Sequence, residues 1–253
     1  LADAQGSKTP AMLAAFARAV DSLSGRYRTA QDVGMSLADM IALADGTPWV
    51  MGLPPEGGKA GGDPGPSTAL GVFLGVKAAV RHRLGKDSLA GVHIAIQGVG
   101  GGLARHCAAA GARLTLADRN GGHAAALAAE LGAETVPTEA ILGVEADVLS
   151  PCALGAILNR ESIPAIAAPI VAGGANNQLA TPEDGDRVQA RGILYAPDYV
   201  INAGGIINVA LEHLEGADQP AVDARIAEIP ARLEAVWAES AATGENPARV
   251  ADA

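Results

Sequence analysis

The chain has 253 residues, a length that suffices for one large domain or two modest domains with cores of their own. Hydrophobic residues make up 49% of it and charged residues 18%, a balance that excludes a disordered chain and indicates a globular protein. A net charge of −10 argues against nucleic acid and anionic membrane surfaces as partners, which leaves small molecules as the expected ligands.

The cysteines and histidines predict no metal site. Cys107 and Cys152 are far apart and lack the spacing of metal ligands or of a disulfide framework, which is consistent with a cytoplasmic location. The 5 histidines form no cluster, and we expect ordinary surface or helix positions for all of them. No apolar run reaches the roughly 18 residues of a membrane span, so no membrane partner is expected.

Two helices are predicted near the start of the chain. Thr9 and Pro10 form an N-cap and first-turn pair ahead of apolar residues at helical spacing. Ser36 begins a shorter helix, and Asp39 completes a pair that resembles a capping box. The segment between these helices therefore lies on a loop, where the carboxylate of Asp32 can face a cleft.

Residues 52–66, GLPPEGGKAGGDPGP, are dense in glycine and proline. Such a composition predicts a linker or a mobile loop between two domains. Ser67 or Thr68 is then expected to cap a long helix.

Residues 91–120, GVHIAIQGVGGGLARHCAAAGARLTLADRN, have the order of a dinucleotide-binding βαβ unit. Gly98 allows a tight turn after the first strand, and Gly100 lets the main chain approach a pyrophosphate held by the free amides of the helix. Asp118 ends the second strand and is placed to accept hydrogen bonds from ribose hydroxyls. Its carboxylate favours NAD, because a 2′-phosphate would meet like charge, although Arg119 leaves NADP open.

This glycine fingerprint departs from the usual pattern at its third position. Leu103 stands where a glycine is expected, and Gly101 and Gly102 come early instead. A larger residue there should push the helix away from the strand unless the turn is rebuilt. A glycine-rich turn that binds no nucleotide is the alternative interpretation.

Two further buried strands are predicted, each followed by candidate cofactor contacts. Residues 148–149 belong to a strand that ends before Cys152 and Ala153, and residues 170–171 to one that ends before Asn176 and Asn177. Ligands bind at the carboxyl ends of strands in open α/β sheets, so both loops are candidates. Beyond them the sequence predicts a strand, a loop, a helix from about Ile206, and one long helix after Pro220.

Five loop motifs give a more specific signal than the glycine turn: SGRYRTAQDVG, GDPGPSTA, SPCALGAILN, AGGANNQL and YAPDYVINAGGIINVA. In unbroken order over nearly the whole chain, they resemble the leucine, phenylalanine and valine dehydrogenases of the amino-acid dehydrogenase family. The resemblance implies an α/β fold with a Rossmann-like domain that binds NAD and part of a second α/β domain for substrate binding and oligomerisation. We expect residues 1–52 to belong to the domain for substrate binding and oligomerisation, and residues 53–223 to form the Rossmann-like domain. Residues 224–253 are expected to form a helical segment that returns toward the domain of residues 1–52.

The activity that the resemblance implies is the reversible oxidative deamination of an L-amino acid to its 2-oxo acid and ammonia, catalysed by a homo-oligomer. Hydride passes from the α-carbon to the nicotinamide, and the resulting imine is hydrolysed. A base must first deprotonate the ammonium group, because only a free amine can collapse into an imine.

The resemblance also assigns roles to residues at matching positions. Asp32 matches the catalytic aspartate that exchanges protons with the substrate, although an Asp beside a turn can also be a plain loop cap. No His lies in a motif next to Cys152, which argues against a nucleophilic cysteine. The substrate-binding positions are Met51, Asn177, Ile206 and Val209. The cofactor-binding positions are Thr68, Gly98, Gly100, Gly101, Asp118, Arg119, Cys152, Ala153 and Asn176.

The residues at the side-chain pocket predict the substrate class. Met51, Ile206 and Val209 offer only apolar surface, whereas a glutamate side chain would bury its charge unpaired there. A branched-chain or other aliphatic amino acid therefore fits best, as in leucine dehydrogenases, with phenylalanine and valine as alternatives. Each of these residues could equally belong to an ordinary core.

The resemblance has one large gap. The family's two active-site lysines lie in glycine-rich motifs upstream of residue 1, and neither Lys8 nor Lys59 sits in such a motif. We therefore expect this sequence to be a fragment of a longer enzyme that lacks the catalytic lysine motif. A non-catalytic relative that binds NAD or only assembles is the rival hypothesis.

Overall fold

A computed structural model describes residues 8–32, 34–54, 60–98, 100–214 and 217–253. The described chain forms two compact units. Unit 1 contains the residues up to Ser67 together with Gly205–Arg225, and unit 2 contains Thr68–Gly204 with Ile226–Ala253. These boundaries differ from the expected division at residues 52 and 223, and the functional roles assigned to the domains stay predictions.

The secondary structure alternates helices and short strands. The helices are α1 (Pro10–Ser22), α2 (Leu37–Ala44), α3 (Gly65–Leu84), α4 (Gly101–Ala109), α5 (Gly121–Leu131), α6 (Pro182–Ala190), α7 (Asp198–Ile201), α8 (Gly204–Leu214), α9 (Gln219–Ile226), α10 (Ile229–Thr243) and α11 (Pro247–Asp252). The strands are β1 (His93–Gln97), β2 (Arg113–Ala117), β3 (Glu134–Thr135), β4 (Val148–Pro151), β5 (Ile170–Val171) and β6 (Leu194–Tyr195).

Unit 2 is built on a six-stranded sheet in the order β3-β2-β1-β4-β5-β6, with every pairing parallel. The register sets Ile94 of β1 opposite Leu114 on one side and Val148 on the other. The strand order reverses between β1 and β4, and ligands of open α/β sheets bind at the carboxyl end of such a switch point. The fold therefore gathers the loops after β1, β2 and β4 at one edge.

The core of unit 2 explains why these short apolar runs form strands. Val148, Leu149 and Ile170 are 1% exposed or less, as are Ile94 and Ile96 on β1. Strands buried on both faces have near-continuous apolar sequences, which is the pattern of these segments. The buried core therefore holds the strands in place, and with them the carboxyl ends that carry the predicted site.

Helix α3 packs closely against the later helices of unit 2. A Cβ at Gly75 would clash with Ile201 Cγ1 and lie 3.1 Å from Leu233 Cδ1, so a glycine is needed for this approach. Trp237 on α10 donates its indole N–H to the carbonyl of Tyr195 at 2.8 Å. These contacts pack helix α10 against the rest of unit 2.

Unit 1 contains α1, α2, most of α8 and most of α9. The two N-terminal caps are confirmed: Thr9 accepts from the Met12 amide, and Ser36 and Asp39 form a capping box. Thr29 and Val50 form an isolated parallel bridge that aligns the segment before Met51 with the segment before Asp32.

The long helix predicted after Pro220 is wrong, since α9 ends at Ile226 and α10 begins at Ile229. Pro230 is the reason. Proline has no amide hydrogen, and its ring would clash with the carbonyl four residues earlier, which is that of Ile226. This local signal was available in the sequence.

Three smaller expectations also need correction. Helix α3 begins at Gly65, so Ser67 and Thr68 lie in its first turn and do not cap it. The loop predicted after β6 contains the short helix α7. His93 is buried in β1, where its Nδ1 donates to the Glu145 carbonyl at 3.0 Å. Residues 55–59 of the predicted linker, including Lys59, lie outside the described residues.

Candidate functional site

The glycine turn follows β1 directly. Gly98 extends the ladder by donating its amide to the Ala117 carbonyl at 2.7 Å, and its φ of +81° is a conformation that favours glycine. A Cβ at this position would lie 2.8 Å from the Ala153 nitrogen and 2.9 Å from its Cα. The turn thus packs against the backbone after β4, and only glycine fits.

The missing third glycine of the fingerprint is replaced by a rebuilt turn. Helix α4 starts at Gly101 with Gly100 as its N-cap, and Leu103 points into the core with 2% exposure. Gly102 takes the close contact, because a Cβ there would lie 2.7 Å from Ala69 Cβ on α3. Leu103 is therefore accommodated in the core, and α4 makes its close approach to α3 at Gly102.

Asp118 lies immediately after β2, beside the carboxyl end of β1. One oxygen of its carboxylate accepts the Asn120 amide at 2.7 Å, which fixes the side chain in an Asx turn. Asn120 in turn is the N-cap of α5. The carboxylate is therefore held by the same turn that starts the next helix.

A cleft of about 490 Å³ opens at this edge of the sheet, within unit 2. Four of the predicted cofactor residues line it: Gly98, Asp118, Arg119 and Ala153. The loops after β3 and β4 supply lining residues that sequence reasoning missed, namely Thr138, Glu139, Leu154, Gly155, Ala156 and Ile157, and Gln97 ends β1. The switch-point rule could have found the loop after β4, because β4 flanks the switch point, whereas β3 is the outermost strand and only the tertiary structure brings its loop to the cleft.

Glu139 changes the charge of this cleft. Asp118 and Glu139 contribute two carboxylates against the one guanidinium of Arg119 among the lining residues. The Thr138 hydroxyl donates to Glu139 Oε2 at 3.1 Å and so orients the second carboxylate. The cleft is therefore net acidic, which disfavours the binding of a 2′-phosphate beside Asp118.

Cys152 packs under the glycine turn as a neutral thiol. A Cβ added at Gly100 would lie 3.3 Å from its Sγ, and its amide donates to the Gln97 carbonyl at 2.7 Å. Burial raises the pKa of the Cys152 thiol. The raised pKa agrees with the argument against a nucleophilic cysteine, and the role of Cys152 as a cofactor contact stays a prediction.

The loop after β5 carries Asn176 and Asn177, and two side chains hold it. Asn202 donates its Nδ2 to Asn176 Oδ1 at 2.5 Å and to the Gly174 carbonyl at 3.2 Å. The buried Gln178 donates to the carbonyls of Gly173 and Ala175 at 2.8 and 3.0 Å. The oxygen of the exposed Asn176 is therefore engaged by a side chain of the same unit.

Sequence reasoning missed Asn202 and Gln178, although both lie inside motifs of the resemblance. Asn177 has a φ of +52°, a conformation that asparagine tolerates better than most residues. The Ala156 amide donates to its carbonyl at 2.7 Å, so the loops after β4 and β5 are joined.

The remaining predicted residues are spread over the two units. Unit 1 holds Asp32, which is exposed, Met51, which is half-buried, and Ile206 and Val209, which are 66% and 3% exposed. Thr68 belongs to unit 2 in the first turn of α3. The roles assigned to these residues stay predictions.

Neither a metal centre nor a membrane span is found in the described part of the chain. No group of three or more His, Cys, Asp or Glu residues within the described ranges could hold a metal ion. Among the described helices, none combines the length and apolar character that a membrane crossing requires.

Comparison with known proteins agrees with this geometry. A family model for "Glutamate/Leucine/Phenylalanine/Valine dehydrogenase" matches residues 113–251. The leucine dehydrogenase of Geobacillus stearothermophilus is 44% identical over 241 residues, which cover 94% of this chain and 65% of that protein. The valine dehydrogenase of Streptomyces albus is 40% identical over 100% of this chain and 70% of its own length. The chain thus spans less than two thirds of the leucine dehydrogenase.

Solved structures extend the likeness to the fold. The crystal structure of L-tryptophan dehydrogenase from Nostoc punctiforme matches with a TM-score of 0.78 and 36% identity, over 98% of this chain and 71% of that one. The hetero-hexameric glutamate dehydrogenase from Thermus thermophilus matches with a TM-score of 0.75 over 97% of this chain and 67% of that one. Its identity of 22% limits that likeness to the fold. The predicted α/β class with a Rossmann-like domain is confirmed.

Proposed function

Because the chain belongs to the glutamate/leucine/phenylalanine/valine dehydrogenase family, we propose that it serves the NAD-dependent oxidative deamination of an aliphatic L-amino acid. The products are the 2-oxo acid and ammonia, and the reaction is reversible. The observation that carries the proposal is the cleft at the switch point, where Gly98 and Asp118 meet the two requirements of a dinucleotide site. The leucine dehydrogenases among the relatives favour a branched-chain substrate.

The cleft residues fit a nicotinamide dinucleotide. Gly98 keeps the turn free of a side chain, and the first amides of α4 have no acceptor within the helix. Together with the helix dipole these amides attract a pyrophosphate. Asp118 keeps one carboxylate oxygen for ribose hydroxyls while the other accepts the Asn120 amide. The cofactor, when bound, supplies the hydride acceptor for the substrate α-carbon.

The charge of the cleft supports NAD over NADP. A 2′-phosphate would add negative charge beside Asp118, and Glu139 lines the same cleft. Arg119 is the one cation in the lining set, and it is exposed, so its attraction is weakened by solvent. We therefore expect NADH to bind more tightly than NADPH.

Asp32 is the proposed proton carrier. Its carboxylate takes a proton from the substrate ammonium group, which frees the nitrogen lone pair to form the imine as hydride leaves the α-carbon. The carboxyl of the exposed Asp32 then releases this proton to solvent, and the regenerated carboxylate accepts a proton from the water that attacks the imine carbon. Asn177 is proposed to bind the substrate through its side-chain amide.

Met51, Ile206 and Val209 are proposed to surround the substrate side chain. An apolar pocket discriminates weakly between neighbouring aliphatic side chains, because one methylene is worth only about 1–3 kcal/mol. Valine and the aromatic amino acids are the alternatives within the class, and the relatives include valine and tryptophan dehydrogenases. A panel of amino acids that varies only the side chain distinguishes these substrates.

The test is a titration of the purified protein with NADH, followed by nicotinamide fluorescence. We expect saturable binding in the wild type, a loss of roughly tenfold or more in Asp118→Ala, and no change in Asp87→Ala. Asp87 is an exposed carboxylate outside the cleft lining and serves as the matched control. Equal affinity of wild type and Asp118→Ala for NADH would refute the proposal that this cleft is the dinucleotide site. A folded protein that binds no NADH would favour the non-catalytic rival.

We also propose that the protein is a cytoplasmic homo-oligomer. The described cysteines are both free thiols, as expected of a reducing compartment. Sedimentation equilibrium measures the oligomeric state directly, and a monomer at micromolar concentration would contradict the assembly.

A further inference from the structure

Two polar side chains on α8 are buried with oxygen atoms that lack a hydrogen-bond partner among the described residues. Asn208 is 1% exposed, and its Oδ1 is unpaired. Glu212 Oε2 is likewise buried and unpaired. Buried polar atoms without partners destabilise a fold, so this pair requires an explanation.

Helix geometry places the two side chains on the same face of α8. Residues 208 and 212 are four apart in α8, so their side chains lie on one face of the helix. Helical side chains lean toward the N-terminus, which directs Glu212 over Asn208. Two acceptor oxygens repel, but a carboxyl that retains its proton can donate to an amide oxygen. A neutral Glu212 would therefore satisfy both atoms at once.

The other side of Glu212 meets the segment that carries Met51. Burial raises the pKa of the Glu212 carboxyl, and a hydrogen bond from the Gly52 amide acts in the opposite direction and lowers it; burial is the larger effect. Gly52 is itself buried, and a Cβ there would lie 3.1 Å from the Gly62 carbonyl oxygen. The Met51 amide donates to the Thr29 carbonyl at 2.8 Å, so successive amides of this segment are held from two directions.

We infer that Glu212 is a positioning residue of the substrate pocket. Its protonated carboxyl donates to Asn208 Oδ1 and accepts from the Gly52 amide, and it thereby ties the Met51 segment to the helix of Ile206 and Val209. All these groups belong to unit 1. The pocket role rests on the proposed function, whereas the proton on Glu212 and its two hydrogen bonds do not.

Such a tie would fix the distance between two walls of an apolar pocket. Met51 precedes Gly52 directly, and Val209 follows Asn208 directly, so each hydrogen bond acts one residue away from a proposed substrate contact. Loss of the tie should loosen the pocket and lower its selectivity for side-chain size. Proton transfer at Asp32 should be unaffected.

The test compares Glu212→Gln with Glu212→Leu, and Glu239→Gln serves as the control at an exposed position. Gln keeps an acceptor for Gly52 and supplies an N–H donor for Asn208, whereas Leu keeps the volume but neither hydrogen bond. In infrared spectra at neutral pH, we expect a carboxylic-acid carbonyl band in wild type and Glu239→Gln that is absent from Glu212→Gln. Identical spectra in all three proteins would overturn the inference.

Amide exchange and ligand binding give the second readout. Hydrogen exchange of the peptide that contains Gly52 should match wild type in Glu212→Gln and be roughly tenfold faster in Glu212→Leu. With NADH present, the 2-oxo acid of leucine should bind roughly tenfold more weakly to Glu212→Leu, and pyruvate should bind nearly as before. Loss of wild-type behaviour in Glu212→Gln would mean that the carboxyl is ionised, and would refute the inference. If wild type binds no 2-oxo acid, the pocket role of Glu212 fails, while the infrared and exchange results still decide the state of Glu212 and the NADH titration decides the proposed cofactor site.

Discussion

Replacing Gly98 by alanine tests the close approach of the glycine turn to the loop after β4. The added Cβ would stand 2.7 Å from Ala153 Cβ and under 3 Å from the backbone of the same residue. Backbone atoms cannot move aside as a flexible side chain can. The substitution should therefore displace either the turn or the Ala153 loop, and both line the cleft.

The loss of folding stability in Gly98→Ala has two parts that can be measured separately. An L-residue at a φ of +81° costs about 1–2 kcal/mol relative to glycine, and the overpacking adds about 1–3 kcal/mol. We expect Gly98→Ala to lower the free energy of unfolding by about 2–5 kcal/mol. Gly132 isolates the first part, because it has a φ of +65° and no atom within 4 Å of an added Cβ.

The assay is urea unfolding at equilibrium, combined with NADH titration of each folded variant. Gly132→Ala should lose about 1–2 kcal/mol of stability and bind NADH as wild type does. Gly98→Ala should lose more stability and bind NADH at least roughly tenfold more weakly, because the turn no longer sits against its pyrophosphate partner. The reasoning is refuted if both variants lose the same stability, since the backbone contact with Ala153 would then cost nothing.

Two more predictions follow from hydrogen bonds in the described chain. Asn202→Ala frees the oxygen of Asn176 and should weaken NADH binding roughly threefold to tenfold with little loss of helix content, as fluorescence titration and circular dichroism would report. Unchanged affinity would mean that Asn176 needs no such support. The second concerns Asp39, whose pKa is lowered to about 2 by hydrogen bonds from the Lys8 ammonium and from the backbone and hydroxyl of Ser36. Because the folded pKa lies below the ordinary 3.8, this pairing stabilises the fold above pH 4 and is lost as the pH falls toward 2. Asp39→Asn should flatten the decline of the melting temperature across that window, and an unchanged decline would assign it to other carboxylates.

The catalytic assignments were reachable from the sequence only through the resemblance. Asp32 by itself is an Asp beside a turn, and Met51 or Val209 by itself is an apolar residue of an ordinary core. Periodicity and spacing carry no information on which of these side chains meets a substrate.

The local elements of the nucleotide unit were determined by the sequence. The apolar alternation before Gly98, the helix-forming run after it and the acid after β2 are all short-range signals, and the structure confirms each element within a few residues. Two short-range signals were misjudged. Pro230 ends α9, and Leu103 is tolerated because Gly102 takes the close contact with α3.

The tertiary structure alone decided which distant side chains meet. Glu139 joins Asp118 in one cleft, Asn202 holds Asn176 across 26 residues of sequence, and Glu212 meets the Gly52 amide. A sequence encodes propensities over a few residues, whereas these contacts depend on how a twisted parallel sheet and its helices bring loop ends together. Strand order and packing therefore set the charge and the supports of the site, and the sequence set the elements from which it is built.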